Sequence, residues 1–294
     1  MSGATILVSA QGGLVRVALL EAGILVDYCV INPDQPDLVG DVYEGRVIAR
    51  APAMAGLFID LGGALTGFLP DSAGGKSARE GDALRLLVTR TAQGGKGPRL
   101  RAIGAAISAK PGLRKRGPGP LGEIRALHPD APIRVDDYGL LATLRADFPD
   151  AAHQTACCAD IEDDIDALAE PFCPLPGGAV AQFSPTPALV AIDIDARGAT
   201  ADRGSKNAAQ LRLNRGVIPE LTRQIRLRNF GGAILIDFAG MKAGARSLLA
   251  PDLIANLARD PLKPRLLGFT ALGFAEILRP RVRAPLHEVW VRHD

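Results

Sequence analysis

Two apolar segments that each end in acidic residues constrain the fold more than any other feature of the sequence. Asp193 and Asp195 close the apolar run Ala188–Ile192, and a second run begins at Gly231 and ends at Asp237. Each run has the length and composition of a buried strand. The stretch between the two runs is helical in character, so the three segments together predict a βαβ unit with parallel strands.

Parallel strands joined by a crossover end at the same edge of a sheet, so the acids of both runs should converge there. Residues two apart on a strand point to the same side, which directs Asp193 and Asp195 to one spot near Asp237. Three carboxylates repel one another, and a divalent cation relieves that repulsion. Oxygen ligands suit Mg²⁺ or Mn²⁺. The alternative for Asp193 is an ordinary strand-end carboxylate that accepts backbone hydrogen bonds.

Composition fits a chain with substantial apolar cores. Of its 294 residues 47% are hydrophobic and 22% are charged, which excludes a disordered protein and allows two or three compact units. The 34 basic and 32 acidic residues leave a net charge of +2, so overall charge gives little support for a polyanion partner. The four cysteines lack CxxC spacing. Without a signal sequence or an apolar run of about 20 residues, we expect a soluble cytoplasmic protein with no membrane partner.

Turn residues and strand-like runs divide the chain into regions. Five short strands between Gly40 and about Ala102, with glycines at the corners, predict a small closed barrel of the OB type. Lys110–Pro120 is basic and rich in proline and glycine, as a linker is. Pro219 suits the first turn of a helix that runs to about Asn229.

Motifs spread over most of the chain resemble those of the bacterial ribonuclease E/G family. They are Asp41-Val-Tyr-Glu-Gly-Arg-Val47, Phe58-Ile-Asp-Leu-Gly62, Gly67-Phe-Leu-Pro70, Gly95-Lys-Gly97, Leu175-Pro-Gly-Gly178, Ala188-Leu-Val-Ala-Ile-Asp-Ile-Asp-Ala-Arg-Gly-Ala-Thr200 and Arg223-Gln-Ile-Arg-Leu-Arg-Asn-Phe-Gly-Gly-Ala-Ile-Leu-Ile-Asp-Phe-Ala-Gly-Met241. The last two motifs are long enough to be specific.

This resemblance implies an α/β (α+β) multidomain fold. It implies an RNase H-like scaffold split by an inserted OB-type barrel and followed by a DNase I-like catalytic domain. The corresponding boundaries are residues 1–38 and 121–175 for the scaffold, 39–104 for the RNA-binding barrel, 105–120 for a basic linker in place of the family's 5′-phosphate sensor, and 176–294 for the catalytic domain.

The resemblance also implies a magnesium-dependent endoribonuclease that cleaves single-stranded RNA to 5′-phosphate and 3′-hydroxyl products, with Mn²⁺ as the alternative ion. The family's metal ligands match Asp193 and Asp237. Asp195 stands where the family usually has asparagine, which adds negative charge to the site. Arg223 and Arg226, between the two acidic motifs, are candidates for binding RNA phosphates. A solvated helix face is the alternative for each arginine.

Two phenylalanines and a lysine of the barrel are the further RNA-binding candidates. Phe58 and Phe68 are expected to stack on bases, and Lys96 to bind phosphate beside them. The alternative is that both rings fill the barrel core.

Two parts of the family pattern are missing from the sequence, namely the 5′-phosphate sensor and the zinc-linking cysteine motif with its small dimerisation domain. We therefore expect cleavage without 5′-end sensing, no zinc, and a monomer or dimer rather than a tetramer. Two rival functions stay open: a non-catalytic RNA-binding paralogue, and a phosphodiesterase acting on DNA or a small nucleotide. The acid pair favours the enzyme.

Overall fold

The computed structural model describes residues 3–196 and 206–290, and the structural statements below concern these ranges. The β-strands are β1 (Ala4–Gln11), β2 (Leu14–Glu21), β3 (Ile24–Ile31), β4 (Val42–Ala51), β5 (Gly56–Asp60), β6 (Thr66–Pro70), β7 (Ala83–Arg90), β8 (Arg99–Ala105), β9 (Gly112–Lys115), β10 (Ile133–Val135), β11 (Ala152–His153), β12 (Phe172–Pro174), β13 (Val180–Pro185), β14 (Leu189–Asp195), β15 (Gly232–Asp237), β16 (Arg265–Phe269) and β17 (Ala275–Arg279). The α-helices are α1 (Gly119–Leu127), α2 (Tyr138–Leu144), α3 (Glu162–Asp166), α4 (Lys206–Leu227), α5 (Ala250–Leu257) and α6 (Leu286–Val289).

The chain divides into two compact units. The first contains the residues up to Val30, then Pro132–Arg281 and the residues from Pro285 onward. The second contains Ile31–Ala131 with Val282–Ala284. No helix among the described residues has the length and apolar character needed to cross a lipid bilayer.

The second unit is built on the predicted barrel. Its strands follow the order β5-β6-β8-β7-β4, and a further pairing of β4 with β5 closes the ring, so the prediction of a closed five-stranded OB-like barrel is confirmed. Alternate residues point inward, as Leu57 and Ile59 do on β5. Gly45 lets β4 approach its neighbours, since a Cβ there would lie 2.6 Å from Cγ2 of Ile59 and 2.8 Å from Cδ1 of Leu86.

The predicted linker over residues 105–120 has more order than its composition suggests. It contains β9, which pairs antiparallel with β4 and places Lys115 opposite Val42. The sequence did not reveal this strand because four residues among prolines and glycines give no periodic pattern. The segment thus adds a sixth strand that pairs with the first part of β4, whose later part pairs with β5.

Two buried acids, Glu44 on β4 and Asp41 just before it, hold this basic segment in place. Glu44 accepts a hydrogen bond from the backbone N–H of Ile107 at 2.8 Å and from Nε of Arg114 at 2.9 Å. Asp41 accepts one from Nη1 of Arg116 at 2.9 Å. The backbone donor of Ile107, helped by Arg114, holds the pKa of Glu44 below its usual range. The basic charge of this segment is therefore partly neutralised within the unit.

The first unit contains two sheets, and the smaller one joins sequence from both sides of the barrel. Its order is β11-β10-β1-β2-β3, in which β1 pairs antiparallel with β2 and parallel with β10. Its apolar cluster combines residues of both segments, including Leu7, Leu25, Ile161 and Ile165. A scaffold interrupted by the barrel fits this connectivity, while the RNase H-like assignment stays a prediction.

The larger sheet of the first unit contains both acidic strands. Its order is β12-β13-β14-β15-β17-β16, and β14 pairs parallel with β15 from Leu189 opposite Ala233 to Asp193 opposite Asp237. The predicted parallel βαβ unit is thus confirmed. Ile192 belongs to the set of even-numbered residues on β14 and β15 that pack with α4 and α5 in one core. The DNase I-like assignment of this region stays a prediction.

The prediction that Pro219 begins a helix was wrong. The structure places Pro219 inside α4, 13 residues after the first helical residue, Lys206. A proline inside a helix removes one backbone hydrogen bond and usually costs about 3 kcal/mol. Here burial of residues on both sides of it, Val217 and Leu221 among them, fixes both halves of α4 in the same core. Tertiary packing therefore overrides the local preference.

Candidate active site

The two strands place Asp193 and Asp237 side by side. They are partners in the register of β14 and β15, and neighbouring strands lie about 4.8 Å apart. Both belong to the odd-numbered set of residues, which faces away from the core of α4 and α5. Asp193 is exposed, and the side chain of Asp237 retains 40% of its accessible surface. The carboxylates therefore meet solvent on one face of the sheet.

Asp195 lies two residues beyond Asp193 on the same exposed side of β14, opposite Val180 of β13. The pairing of β14 with β15 runs from Leu189 opposite Ala233 to Asp193 opposite Asp237. Within the described ranges no group of three or more His, Cys, Asp or Glu side chains is arranged to hold a metal ion. The structure thus brings together a pair of carboxylates, and the participation of Asp195 stays a prediction.

An arginine that the sequence did not single out binds one of the two carboxylates. Nη1 of Arg246 donates to Oδ1 of Asp237 at 2.6 Å and to the carbonyl oxygen of Gly273 at 3.2 Å. Nε of the same guanidinium donates to the carbonyl oxygen of Met241 at 3.1 Å. Gly273 has a φ of +94°, and a Cβ there would lie 3.0 Å from Cδ of Arg246. The lack of a side chain at Gly273 therefore leaves room for the arginine.

Helix α4 fixes the backbone that follows Asp237. Asn214 is fully buried, its Nδ2 donates to the carbonyl oxygen of Ala239 at 2.9 Å, and its Oδ1 accepts from the N–H of Ala239 at 3.2 Å. At Gly240, with a φ of +65°, a Cβ would lie 2.9 Å from Cδ of Gln210. The segment after Asp237 is thus held by both polar groups of Ala239 and by close packing on α4. Neither Asn214 nor Arg246 carries a sequence signal that marks it as part of the site.

The predicted phosphate-binding arginines make contacts within the protein. Arg223 donates from Nε and Nη2 to the two carboxylate oxygens of Glu220 at 2.8 and 2.7 Å, and its Nη1 donates to the carbonyl oxygen of Leu25. Burial alone would lower the pKa of Arg223, but its hydrogen bonds to Glu220 raise it. Arg226 donates from Nη1 to the carbonyl oxygen of Arg259 at 3.3 Å.

Helix α4 also places these two arginines away from the carboxylates. Both lie near its carboxyl end, which leads into the first residue of β15, whereas Asp237 is the last residue of that strand. Five residue steps along a strand span about 16 Å. The helix moreover packs against the face of the sheet opposite the carboxylates. The structure therefore does not bring Arg223 and Arg226 together with Asp193 and Asp237.

On the barrel, Phe58 and Phe68 form an aromatic pair in which Phe58 is exposed and Phe68 is half-buried. They lie opposite each other on β5 and β6, and their ring centroids are 5.7 Å apart at an interplanar angle of 64°. Phe58 retains 37% of its surface, and neither ring belongs to the buried barrel cluster. The alternative that both rings fill the core is therefore wrong. Their use in binding RNA stays a prediction.

Basic residues lie close in sequence and register to this aromatic pair. Arg99 is opposite Phe68 on β8, and its side chain is exposed. Lys96 is exposed in the turn between β7 and β8, where its N–H donates to the carbonyl oxygen of Gln93 at 3.0 Å. The alternation of Arg99 and Arg101 about the buried Leu100 is a sequence signal that could have identified this basic strand face.

Comparison with known proteins gives a consistent set of relatives. Residues 148–282 match the family model described as Ribonuclease E/G family. Ribonuclease E of a Synechocystis species is 33% identical over 122 residues, which cover 41% of this chain and 18% of that protein. Ribonuclease G of Escherichia coli is 31% identical over 131 residues, 44% of this chain and 27% of that protein. The Ribonuclease E/G-like protein, chloroplastic, of Arabidopsis thaliana is 30% identical over 126 residues, 42% of this chain and 13% of that protein. The resemblance drawn from the motifs is confirmed, and the matched part of the chain spans less than a third of each of these three relatives.

Proposed function

We propose that the chain is a metal-dependent endoribonuclease acting on single-stranded RNA, because residues 148–282 match the Ribonuclease E/G family model and similar relatives are ribonucleases E and G. The observation that carries the proposal is the register of β14 and β15, which sets Asp193 beside Asp237 on an exposed sheet face. Two adjacent carboxylates that are open to solvent can hold the cation that metal-dependent hydrolysis of a phosphodiester requires.

The donor set of this site fits a hard divalent cation. Mg²⁺ commonly keeps several waters and is held through one or two carboxylates together with phosphate oxygens. Asp193 and Asp237 would hold Mg²⁺, with Mn²⁺ as the alternative, and Asp195 would complete the site or orient a water. A bound cation would supply charge neutralisation at the phosphate and a lowered pKa of a bound water. Zinc is not expected here, because the donors are oxygen atoms.

The chain's own residues hold this geometry before RNA arrives. The hydrogen bond from Arg246 fixes one oxygen of Asp237, and the two hydrogen bonds of Asn214 fix the backbone at Ala239. Preorganised groups lose little freedom on binding, which favours catalysis. Asp193 is positioned by the register of β14 against β15.

The barrel would supply affinity for RNA. The Phe58 and Phe68 rings are edge-to-face, with Phe58 exposed and Phe68 half-buried, and each stacked base contributes about 1–3 kcal/mol on such aromatics. Lys96 and Arg99 would bind the phosphates beside these bases. We no longer assign Arg223 and Arg226 a direct contact with RNA phosphates, since their guanidinium groups already have partners in the protein. Their remaining role would be a contribution to the surface charge.

The finer features of the proposal come from the family resemblance and from the basic linker that stands in place of the 5′-phosphate sensor. The products would carry a 5′-phosphate and a 3′-hydroxyl, and cleavage would not depend on the state of the 5′ end. The protein would act in the cytoplasm. Transcripts that carry 5′-triphosphate and 5′-monophosphate should then be cut at similar rates.

A cleavage assay with a matched pair of variants tests the proposal. A fluorescent A/U-rich single-stranded RNA is incubated with the protein in Mg²⁺, in Mn²⁺ and in EDTA. We expect cleavage in either metal and none in EDTA, and Asp237→Asn should lower the rate by orders of magnitude while RNA binding persists.

Asp252 on α5 provides the control for Asp237. Its side chain is also 40% exposed and is also bound by an arginine, with 3.1 Å between its Oδ2 and Nε of Arg215. Asp252→Asn should therefore leave cleavage unchanged. Cleavage in EDTA, or equal loss in Asp237→Asn and Asp252→Asn, would contradict the proposal. The ion pair between Asp237 and Arg246 favours a second candidate, a non-catalytic RNA-binding paralogue, and RNA binding without cleavage in either metal would identify it.

A further inference from the structure

We propose that Arg246 binds a phosphate of the RNA at the carboxylate pair, an inference that rests on the proposed function. This side chain is largely buried, with only 11% of it exposed. Its guanidinium nevertheless reaches the exposed carboxylate of Asp237. Arg246 thus provides a fixed positive charge beside the acids on which the chemistry depends.

The hydrogen bonds of Arg246 leave one of its nitrogens for a ligand. Nε and Nη1 are used by Met241, Gly273 and Asp237, whereas Nη2 has no acceptor among the described residues. Among the described residues, the fully buried arginine nitrogens that lack an acceptor belong to Arg16, Arg85 and Arg226. Nη2 of Arg246 is not one of these fully buried nitrogens. Its donor hydrogens are available to an anion that approaches Asp237.

The charge and hydrogen-bonding groups of Arg246 favour binding of a phosphodiester anion. Guanidinium groups bind phosphate oxygens through charge-assisted hydrogen bonds and stay protonated at every accessible pH. A phosphate at the carboxylate pair would meet two negative charges, and Arg246 offsets part of that repulsion. Because the Met241 and Gly273 carbonyls fix the guanidinium, little side-chain entropy is lost when Nη2 donates to the ligand.

The test measures RNA binding in EDTA, where cleavage does not interfere and the result does not depend on metal chemistry. Fluorescence anisotropy gives Kd for a single-stranded RNA at several salt concentrations. Arg246→Gln should weaken binding about tenfold and reduce the slope of log K against log salt by about 0.7, the contribution of one phosphate contact to a single strand. Arg246→Lys should keep the wild-type slope. Arg259→Gln, which removes an exposed arginine of the same unit, should leave affinity within about twofold.

A double variant separates direct contact from a change in local charge. Arg246→Gln alone leaves Asp237 unscreened, so repulsion could weaken RNA binding without any contact. Asp237→Asn with Arg246→Gln removes both charges, and weak binding should persist if Nη2 contacts phosphate.

Several outcomes of these binding measurements would overturn the proposal. Recovery of wild-type affinity in the double variant would overturn it, as would an unchanged slope in Arg246→Gln. Arg246→Lys keeps the test valid if the glutamine variant fails to fold, because loss of slope in the folded lysine variant would contradict the role of charge. Wild-type protein that binds no RNA would overturn this proposal and the proposed function together, whereas binding without cleavage would overturn only the latter.

Discussion

Asn214→Ala should destabilise the first unit, because it removes the side chain that pairs with both backbone groups of Ala239. The two hydrogen bonds are 2.9 and 3.2 Å long, and Asn214 is fully buried. A buried backbone group left without a partner costs about 1–3 kcal/mol. Two such groups cost about 2–6 kcal/mol, and the higher helix propensity of alanine returns about 0.6 kcal/mol. We therefore expect a loss of about 2–5 kcal/mol in the free energy of unfolding.

Tryptophan fluorescence measures this loss in the unit concerned. Trp290 is the one tryptophan of the sequence and contacts Tyr28 of the same unit, with ring centroids 6.3 Å apart. Denaturant unfolding followed at this residue reports the first unit and avoids mixing its transition with that of the barrel.

Asn256→Ala provides the matched control. Asn256 on α5 donates to the carbonyl oxygen of Asp252 four residues earlier, which matches the hydrogen bond from Asn214 to the carbonyl oxygen of Gln210. The Asn256→Ala control thus removes the same local hydrogen bond but leaves the two hydrogen bonds to Ala239 intact. Its free energy of unfolding should stay within about 0.5 kcal/mol of the wild-type value. Equal stability of the Asn214→Ala and Asn256→Ala variants would refute the reasoning.

Two further predictions concern the barrel. Gly56→Ala should weaken binding of single-stranded RNA about fivefold or more, because its Cβ would meet both the ring of Phe68 and, at 2.7 Å, the carbonyl oxygen of Leu69, and so displace β6 and the Phe68 ring from their places beside Phe58; unchanged Kd in an anisotropy titration would contradict this. Acidification should destabilise the barrel below about pH 4.5, because the pKa of Glu44 is lowered in the folded state by the Ile107 amide and by Arg114, so the unfolded chain takes up its proton first. The stabilisation is present above pH 4.5 and is lost as the pH falls through the folded pKa, so Glu44→Gln should flatten this part of the curve of unfolding free energy against pH.

The aligned acids of β14 and β15 show how much a local pattern can establish. Each apolar run encodes its own strand, and the helical stretch between them dictates a parallel crossover. From these two local properties the pairing of Asp193 with Asp237 follows without any knowledge of the rest of the chain. The closed barrel was predictable for the same reason, since short strands separated by glycines leave few other ways to bury their inner faces.

Side-chain partners across the fold were beyond the reach of such patterns. Arg246 and Asn214 are an ordinary arginine and an ordinary asparagine in sequence, and only the packing of α4 and of the segment after Asp237 brings them to the site. Arg223 fitted a phosphate-binding role by type and position, yet Glu220 and the Leu25 carbonyl occupy its guanidinium.

The sequence by itself determined the strands, their parallel order and the acids at their ends, because hydrophobic periodicity is a property of neighbouring residues. Only the tertiary structure decided which cations meet those acids and which are used elsewhere. Hydrogen bonds of about 3 Å depend on the placement of whole helices and strands, and no short-range pattern encodes that placement.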